Sequence, residues 1–205
     1  MIAIIDYDAG NLTSVDRALK YIGAPCEVTR DLKKIGAADR IVFPGVGAAG
    51  SAMESLIRYG LDRAIREAFA AGKPILGICL GTQVILTESE ENNARCLDLI
   101  PGKGTAFSTA MTEKGLRLKV PHMGWNTVAV TRPHPVLSGI RDDLKFYFVH
   151  SFHPAPADPA HVLAQTSYGV PFASVIGHAN LVATQFHPEK SGEPGLALLK
   201  NFISW

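Results

Sequence analysis

A chain of 205 residues has room for one well-buried domain and little for a second, and 47% hydrophobic with 19% charged residues is a globular composition, not a disordered one. Twenty Lys and Arg against nineteen Asp and Glu leave a formal charge of +1, which excludes the basic field that drives sequence-independent nucleic-acid binding. No apolar run approaches the ~18 residues of a membrane span, the opening residues 1–6 lack the basic region and cleavage site of a signal peptide, and Cys26, Cys79 and Cys96 are too irregularly spaced for a disulfide framework, which points to a reducing, cytoplasmic setting.

Taken in chain order, Ile2 to Ile5 predicts a strand buried on both faces, with Asp6 at its carboxyl end. Asn11 to Ile22 carries Leu12, Val15, Ala18, Leu19 and Ile22 at helical spacing and is stopped by Gly23 and Pro25. A short strand at Cys26 to Thr29 and another at Arg40 to Phe43, ending on Pro44, lead to a helical stretch over 51–71, interrupted at Gly60 and stopped by Gly72. Pro74 to Ile78 predicts the next strand, and a helix begins near Leu80. From about residue 96 β-like runs dominate: Leu116 to Val120, Thr127 to Thr131, Lys145 to Val149, Val162 to Thr166, Phe172 to Gly177 and Leu181 to Thr184. Residues 194–205 predict a closing helix with Pro194 in its first turn. The alternation predicts a single α/β domain over 1–205: a twisted sheet with helices on both faces, mostly parallel and finished by antiparallel strands. Ligands in such sheets lie outside the carboxyl ends of the strands.

The unusual residues cluster at those ends. Gly77-Ile78-Cys79-Leu80-Gly81 has the G-x-nucleophile-x-G form of a nucleophile elbow with Cys in place of Ser, and a following helix N-terminus favours a thiolate. Alone, the pentapeptide fits a small buried Cys in a strand-to-helix turn equally well. A Cys nucleophile needs a base and a group to orient that base. Of seven histidines, only His187 follows an apolar strand and stands two positions before a carboxylate, Glu189, with Pro188 fixing φ between them. Alone that run reads as a turn with a solvated Glu; paired with the elbow it reads as base and orienting partner. Pro44-Gly45-Val46-Gly47 is either a plain Gly-rich turn or a source of backbone N–H groups for an oxyanion hole. His150 and His153 lack further ligands at zinc spacing, so no metal is expected. Gly45, Gly47 and Gly50 spell G-x-G-x-x-G without the second-strand acidic residue of a dinucleotide site.

Together these blocks resemble the class I glutamine amidotransferases over almost the whole chain: Gly77 to Gln83 is similar to that family's G-x-C-x-G-x-Q block, and Gln185 to Glu189 to its Q-F-H-P-E block. Within it, Ile5-Asp6-Tyr7, Ala9 to Leu12, Pro44 to Gly47, Pro121-His122-Met123-Gly124-Trp125-Asn126 and Phe148 to Ser151 resemble the glutaminase subunits of imidazole glycerol phosphate synthases. Asp8 and Phe152 stand where those relatives often have Gly and Tyr.

The resemblance implies a flavodoxin-like three-layer sandwich and hydrolysis of glutamine to glutamate and ammonia without a cofactor. It implies a catalytic triad of Cys79, His187 and Glu189, and an oxyanion hole from Val46, Gly47 and Leu80. Gly45, Gly47, Gln83, Glu91, Ser151 and Phe152 would hold glutamine, although Glu88 and Glu90 lie too close in sequence for spacing to single out Glu91. Asn11, Met123, Trp125, Asn126 and Lys190 would meet a (β/α)8-barrel cyclase subunit that receives the ammonia for histidine biosynthesis. Without the resemblance, Trp125 reads as a core aromatic. A free-standing Cys hydrolase or peptidase of the same fold, and a binding module with a dead site, are the competing readings.

Overall fold

The computed structural model describes residues 1–113 and 115–205. The first half alternates strand and helix: β1 (Ile2–Ile5), α1 (Leu12–Tyr21), β2 (Cys26–Thr29), α2 (Leu32–Ala37), β3 (Arg40–Gly45), α3 (Ala49–Arg58), α4 (Leu61–Ala70), β4 (Ile75–Cys79) and α5 (Leu80–Val84). The second half is mainly strand: β5 (Glu88–Ser89), β6 (Ala94–Arg95), β7 (Gly102–Ala106), β8 (Thr112–Glu113), β9 (Leu116–Arg117), β10 (His122–Thr127), β11 (Ala129–Val130), β12 (Lys145–His150), β13 (Phe152–Pro156), β14 (Val162–Tyr168), β15 (Val170–His178) and β16 (Leu181–Thr184), closed by α6 (Gly192–Ser204).

Among the described residues, eight strands form the main sheet in the order β11-β14-β15-β16-β4-β3-β1-β2. The block β2-β1-β3-β4-β16 is parallel, and β15, β14 and β11 add antiparallel strands beyond it. The parallel block has the flavodoxin-like order, in which the chain returns across β1 to reach β3. Alternate residues of the central strands feed two cores. Ile2, Ile4, Val42 and Leu76 pack with Val15 and Leu19 of α1 and Leu198, Leu199 and Phe202 of α6. Ala3, Ile5, Ile41, Phe43 and Ile75 pack on the other face with Ile35, Leu56, Leu61 and Ile65 of α2 to α4. Burial on both faces is why these strands read as continuous apolar runs. The three-layer α/β sandwich is the architecture expected from the alternation. Among the described residues no helix is long and apolar enough to cross a membrane.

Several elements depart from expectation for local reasons. Leu116 to Val120 forms only two residues of strand, paired antiparallel with Thr112–Glu113. Thr127 to Thr131 is divided between β10, which ends at Thr127, and the short β11. β10 itself, with Gly124 and Asn126, carries little strand propensity; it forms because each of its six residues pairs with β12. β7 and β13 are Gly- and Pro-rich, and β13 tolerates two prolines at the edge of a second sheet ordered β13-β7-β5-β6. α2 is too short for a periodic signal and is fixed by its cap, the Asp31 carboxylate accepting from Lys33 N at 2.8 Å.

Candidate active site

Three adjacent parallel strands bring the three sequence blocks together. Pairing sets Gly45 opposite Cys79 and Thr184 opposite Ile78, so residues 44–47, 77–81 and 185–189 leave the same sheet edge side by side. β4 passes into α5 without a loop, and Cys79 at the junction has φ 54° and ψ −105°. A left-handed φ at a non-glycine residue is the strained turn of a nucleophile elbow. Its flanking glycines are required by close approach: a Cβ on Gly81 would lie 2.0 Å from the Phe43 carbonyl oxygen, and one on Gly77 2.8 Å from Ala183 Cβ. Small residues here let the elbow sit between β3 and β16.

Cys79 is 6% exposed. Its Sγ lies 3.8 Å from the Val149 carbonyl, to which a thiol donates, and 3.8 Å from Gln185 Nε2, which donates to the sulfur. His187 is buried, and Nδ1 donates to Glu189 Oε1 at 2.7 Å. The same carboxylate oxygen accepts from Asn11 Nδ2. Because Glu189 occupies Nδ1, the nitrogen left for the sulfur is Nε2, which makes no hydrogen bond within normal limits among the described residues. Such gaps are common before a substrate tightens the site. The ring is held by its backbone as well: His187 N donates to the Tyr147 carbonyl, and Ser191 Oγ donates to the His187 carbonyl while accepting from Tyr147 N. Burial acts to lower the basicity of His187, but Cys79 and Glu189 beside it outweigh burial and push its pKa up to about 10.

A cleft of about 280 Å³ opens over the sulfur. Val46, Gly47 and Leu80 line it on the elbow side, Gln83 and Glu91 on another, and Val149, His150, Ser151 and Phe152 on the far wall. Of the three neighbouring glutamates only Glu91 lines the cleft, and its Oε2 accepts from Ala49 N at 2.8 Å. Glu90 instead pairs with Lys103 and accepts from Ala106 N. Gln83 Nε2 donates to the Phe152 carbonyl at 3.0 Å and to Gln185 Oε1 at 3.2 Å.

One of the expected positions falls elsewhere. Gly45 is not on the cleft wall; it is buried against Tyr7, whose Oη would lie 1.8 Å from a Cβ at that position. The Tyr7 hydroxyl has no hydrogen-bond partner among the described residues, and burial, with Cys79 nearby, raises its pKa. Asn11, expected at a partner surface, turns its amide inward to Glu189. Met123 and Trp125 are 63% and 55% exposed, against the reading of Trp125 as a core aromatic. In β10 burial alternates, which sends Met123 and Trp125 to the outer face and His122 and Asn126 inward. Lys190 is exposed.

Sequence reasoning missed the Gln185 contact to the sulfur, the Asn11 support of Glu189, and His122. Gln185 was legible in principle, since it directly follows β16 beside Cys79 once β16 and β4 are paired. The other two depend on long-range contacts with no local signature.

The chain matches the family "Glutamine amidotransferase class-I" over residues 3–205. It is 50% identical to the imidazole glycerol phosphate synthase subunit HisH of Nitratidesulfovibrio vulgaris, covering 100% of this chain and 97% of that one. It is 48% identical to the HisH subunit of Chromobacterium violaceum, with the same coverage. The structure of PurLQS from Thermotoga maritima superposes with a TM-score of 0.75 at 17% identity, covering 99% of this chain and 97% of that one, a likeness of fold. The chain belongs to the class I glutamine amidotransferases and, within them, to the HisH subunits of imidazole glycerol phosphate synthase.

Proposed function

We propose that Cys79, His187 and Glu189 hydrolyse the side-chain amide of glutamine through a cysteinyl thioester. The observation that carries this is the elbow: a strained Cys79 beneath an amino-acid-sized cleft, flanked by an imidazole whose Nδ1 is engaged by a buried carboxylate. His187 Nε2 holds the sulfur's proton as an imidazolium, in keeping with its raised pKa, and the thiolate attacks the carboxamide carbon. The developing oxyanion meets the Leu80 backbone N–H and one from Val46 or Gly47, each donor being worth about 3 kcal/mol. His187 then returns the proton to departing ammonia. Water, deprotonated by the same nitrogen, opens the thioester to glutamate and restores the thiol. Glu91 suits the substrate ammonium, while Gln83 and the Ser151–Phe152 backbone suit the rest of the amino-acid group.

The ammonia passes to a (β/α)8-barrel cyclase subunit in a cytoplasmic heterodimer, where it reacts with a phosphoribulosyl-formimino intermediate in histidine biosynthesis. Met123, Trp125 and Lys190 form the docking face, with Asn126 behind it. Turnover is low without the partner, because Gly45 and Gly47 let the strand at 44–47 present either a carbonyl or an N–H to the oxyanion site, and the partner shifts that population. Covalent trapping tests the nucleophile: a glutamine-like electrophile should add to Cys79 alone among the three cysteines, and excess glutamine should protect it. Labelling of Cys26 or Cys96 at a comparable rate would refute the assignment.

A further inference from the structure

His122 and His150 face each other across β10 and β12 as a directly opposed pair, and neither has a place in the chemistry above. Both are buried, His150 on the wall of the cleft and His122 behind it. Their tautomers follow from one atom. His150 Nδ1 lies 2.8 Å from the Phe152 carbonyl oxygen, which only accepts, so Nδ1 carries the proton and Nε2 is a bare acceptor. That Nε2 lies 3.0 Å from His122 Nδ1, which must therefore donate, leaving His122 Nε2 to accept. Asn126 Nδ2 supplies it at 3.3 Å and spends its second proton on the Ser167 carbonyl at 2.9 Å, while Asn126 Oδ1 accepts from Thr127 N.

Every donor in this chain points the same way, from Asn126 toward the cleft. The chain meets the catalytic side at the Phe152 carbonyl, which also accepts from Gln83, and Gln83 leads through Gln185 to Cys79 Sγ. His122 is fixed in plane by stacking on Tyr168, with centroids 4.0 Å apart, and on Phe148 at 4.9 Å. Burial lowers the pKa of His122 to about 4 and of His150 to about 3, in keeping with two neutral rings.

We propose that His122 and His150 are positioning residues of the glutamine site: their one-way hydrogen-bond chain holds the Phe152 carbonyl and Gln83 in register, and couples the exposed Met123–Trp125 edge of β10 to the cleft. The physical warrant is a fully satisfied chain in which no member can turn over alone without leaving a buried polar atom unpaired. The positioning role rests on the glutamine-hydrolysis reading; the tautomer chain does not.

Imidazole ¹⁵N spectra of the free chain near neutral pH should show both rings neutral with the proton on Nδ1. An Nε2–H tautomer or an imidazolium at either ring would overturn the chain whether or not the enzyme turns over glutamine. In the complex with the cyclase, His150→Phe should raise KM for glutamine about tenfold, the cost of leaving a buried carbonyl one donor short, with kcat within about twofold. His150→Asn keeps a donor at the Nδ1 position and should restore KM. Asn126→Ala should raise KM about threefold in the natural background and not at all on top of His150→Phe, the non-additivity expected of groups in one network. If His150→Phe does not fold, His122→Phe tests the same link with His150 in place. An unchanged KM in these variants, or an equal fall of kcat in His150→Phe and His150→Asn, would overturn the positioning role; a natural complex without glutaminase activity would overturn the reading beneath it.

Discussion

At the scale of single residues, the proposed mechanism asks Glu189 to do two things at once: fix the His187 tautomer and stabilise the imidazolium. One oxygen, Oε1, carries both the His187 and Asn11 contacts. Glu189→Gln keeps the shape but substitutes a neutral amide, and kcat for glutamine hydrolysis should fall by about 10³-fold or more, as in other triads that lose this carboxylate. A fall of less than about tenfold would place the imidazolium's stabilisation elsewhere. His187 also links the site to stability. Its pKa in the folded chain, about 10, stands above the ordinary value of 6.5, so its contribution to stability is fully present below about 6.5 and is lost as pH rises through about 10. Removing the sulfur removes one of the two groups that raise it. The His187 titration followed by NMR should therefore move to lower pH in Cys79→Ala, and an identical midpoint in both proteins would contradict this account of the shift.

At the scale of elements, the elbow works because β3, β4 and β16 are in contact through positions that tolerate no side chain. Gly81→Ala drives a Cβ to 2.0 Å from the Phe43 carbonyl, a backbone atom with nowhere to go. The substitution should destabilise the fold by about 2 kcal/mol in a denaturant titration and suppress turnover by tilting α5 away from Cys79. Much of this architecture was legible. The runs at Ile2–Ile5 and Leu181–Thr184 appear as strands with the bounds the sequence suggests, because burial on both faces writes an unbroken apolar signal, and the half-buried edge strand Cys26–Thr29 also keeps its expected bounds. The elbow and the His187-Pro188-Glu189 run were legible for a related reason, since their chemistry is carried by adjacent residues. What escaped was set by partners distant in the chain. β10 is a strand by pairing rather than propensity, and its pairing is what brings His122 to His150. The Asn11 contact to Glu189 likewise forms only once α1 is placed beside the turn that carries Glu189.

At the scale of the whole molecule, Cys79 and His187, the proposed nucleophile and base, are buried while a neighbouring strand presents Met123 and Trp125 to solvent. Large apolar side chains exposed on one face next to a site mark an interaction surface. Trp125→Ala should leave the melting temperature of the isolated chain within about a degree, since an exposed side chain contributes little packing, and should weaken complex formation with the cyclase at least tenfold, as loss of a central aromatic anchor does. A stability loss with undiminished association would return Trp125 to the core. Glutamate release from glutamine by the purified chain, alone and with the barrel cyclase and its nucleotide ligand, reads both the Cys79 chemistry and its control by the partner, with Cys79→Ala as blank. Low activity alone, strong stimulation in the complex and none in the variant are the predicted results; equal activity with and without the cyclase would contradict the control, and activity surviving in Cys79→Ala the chemistry.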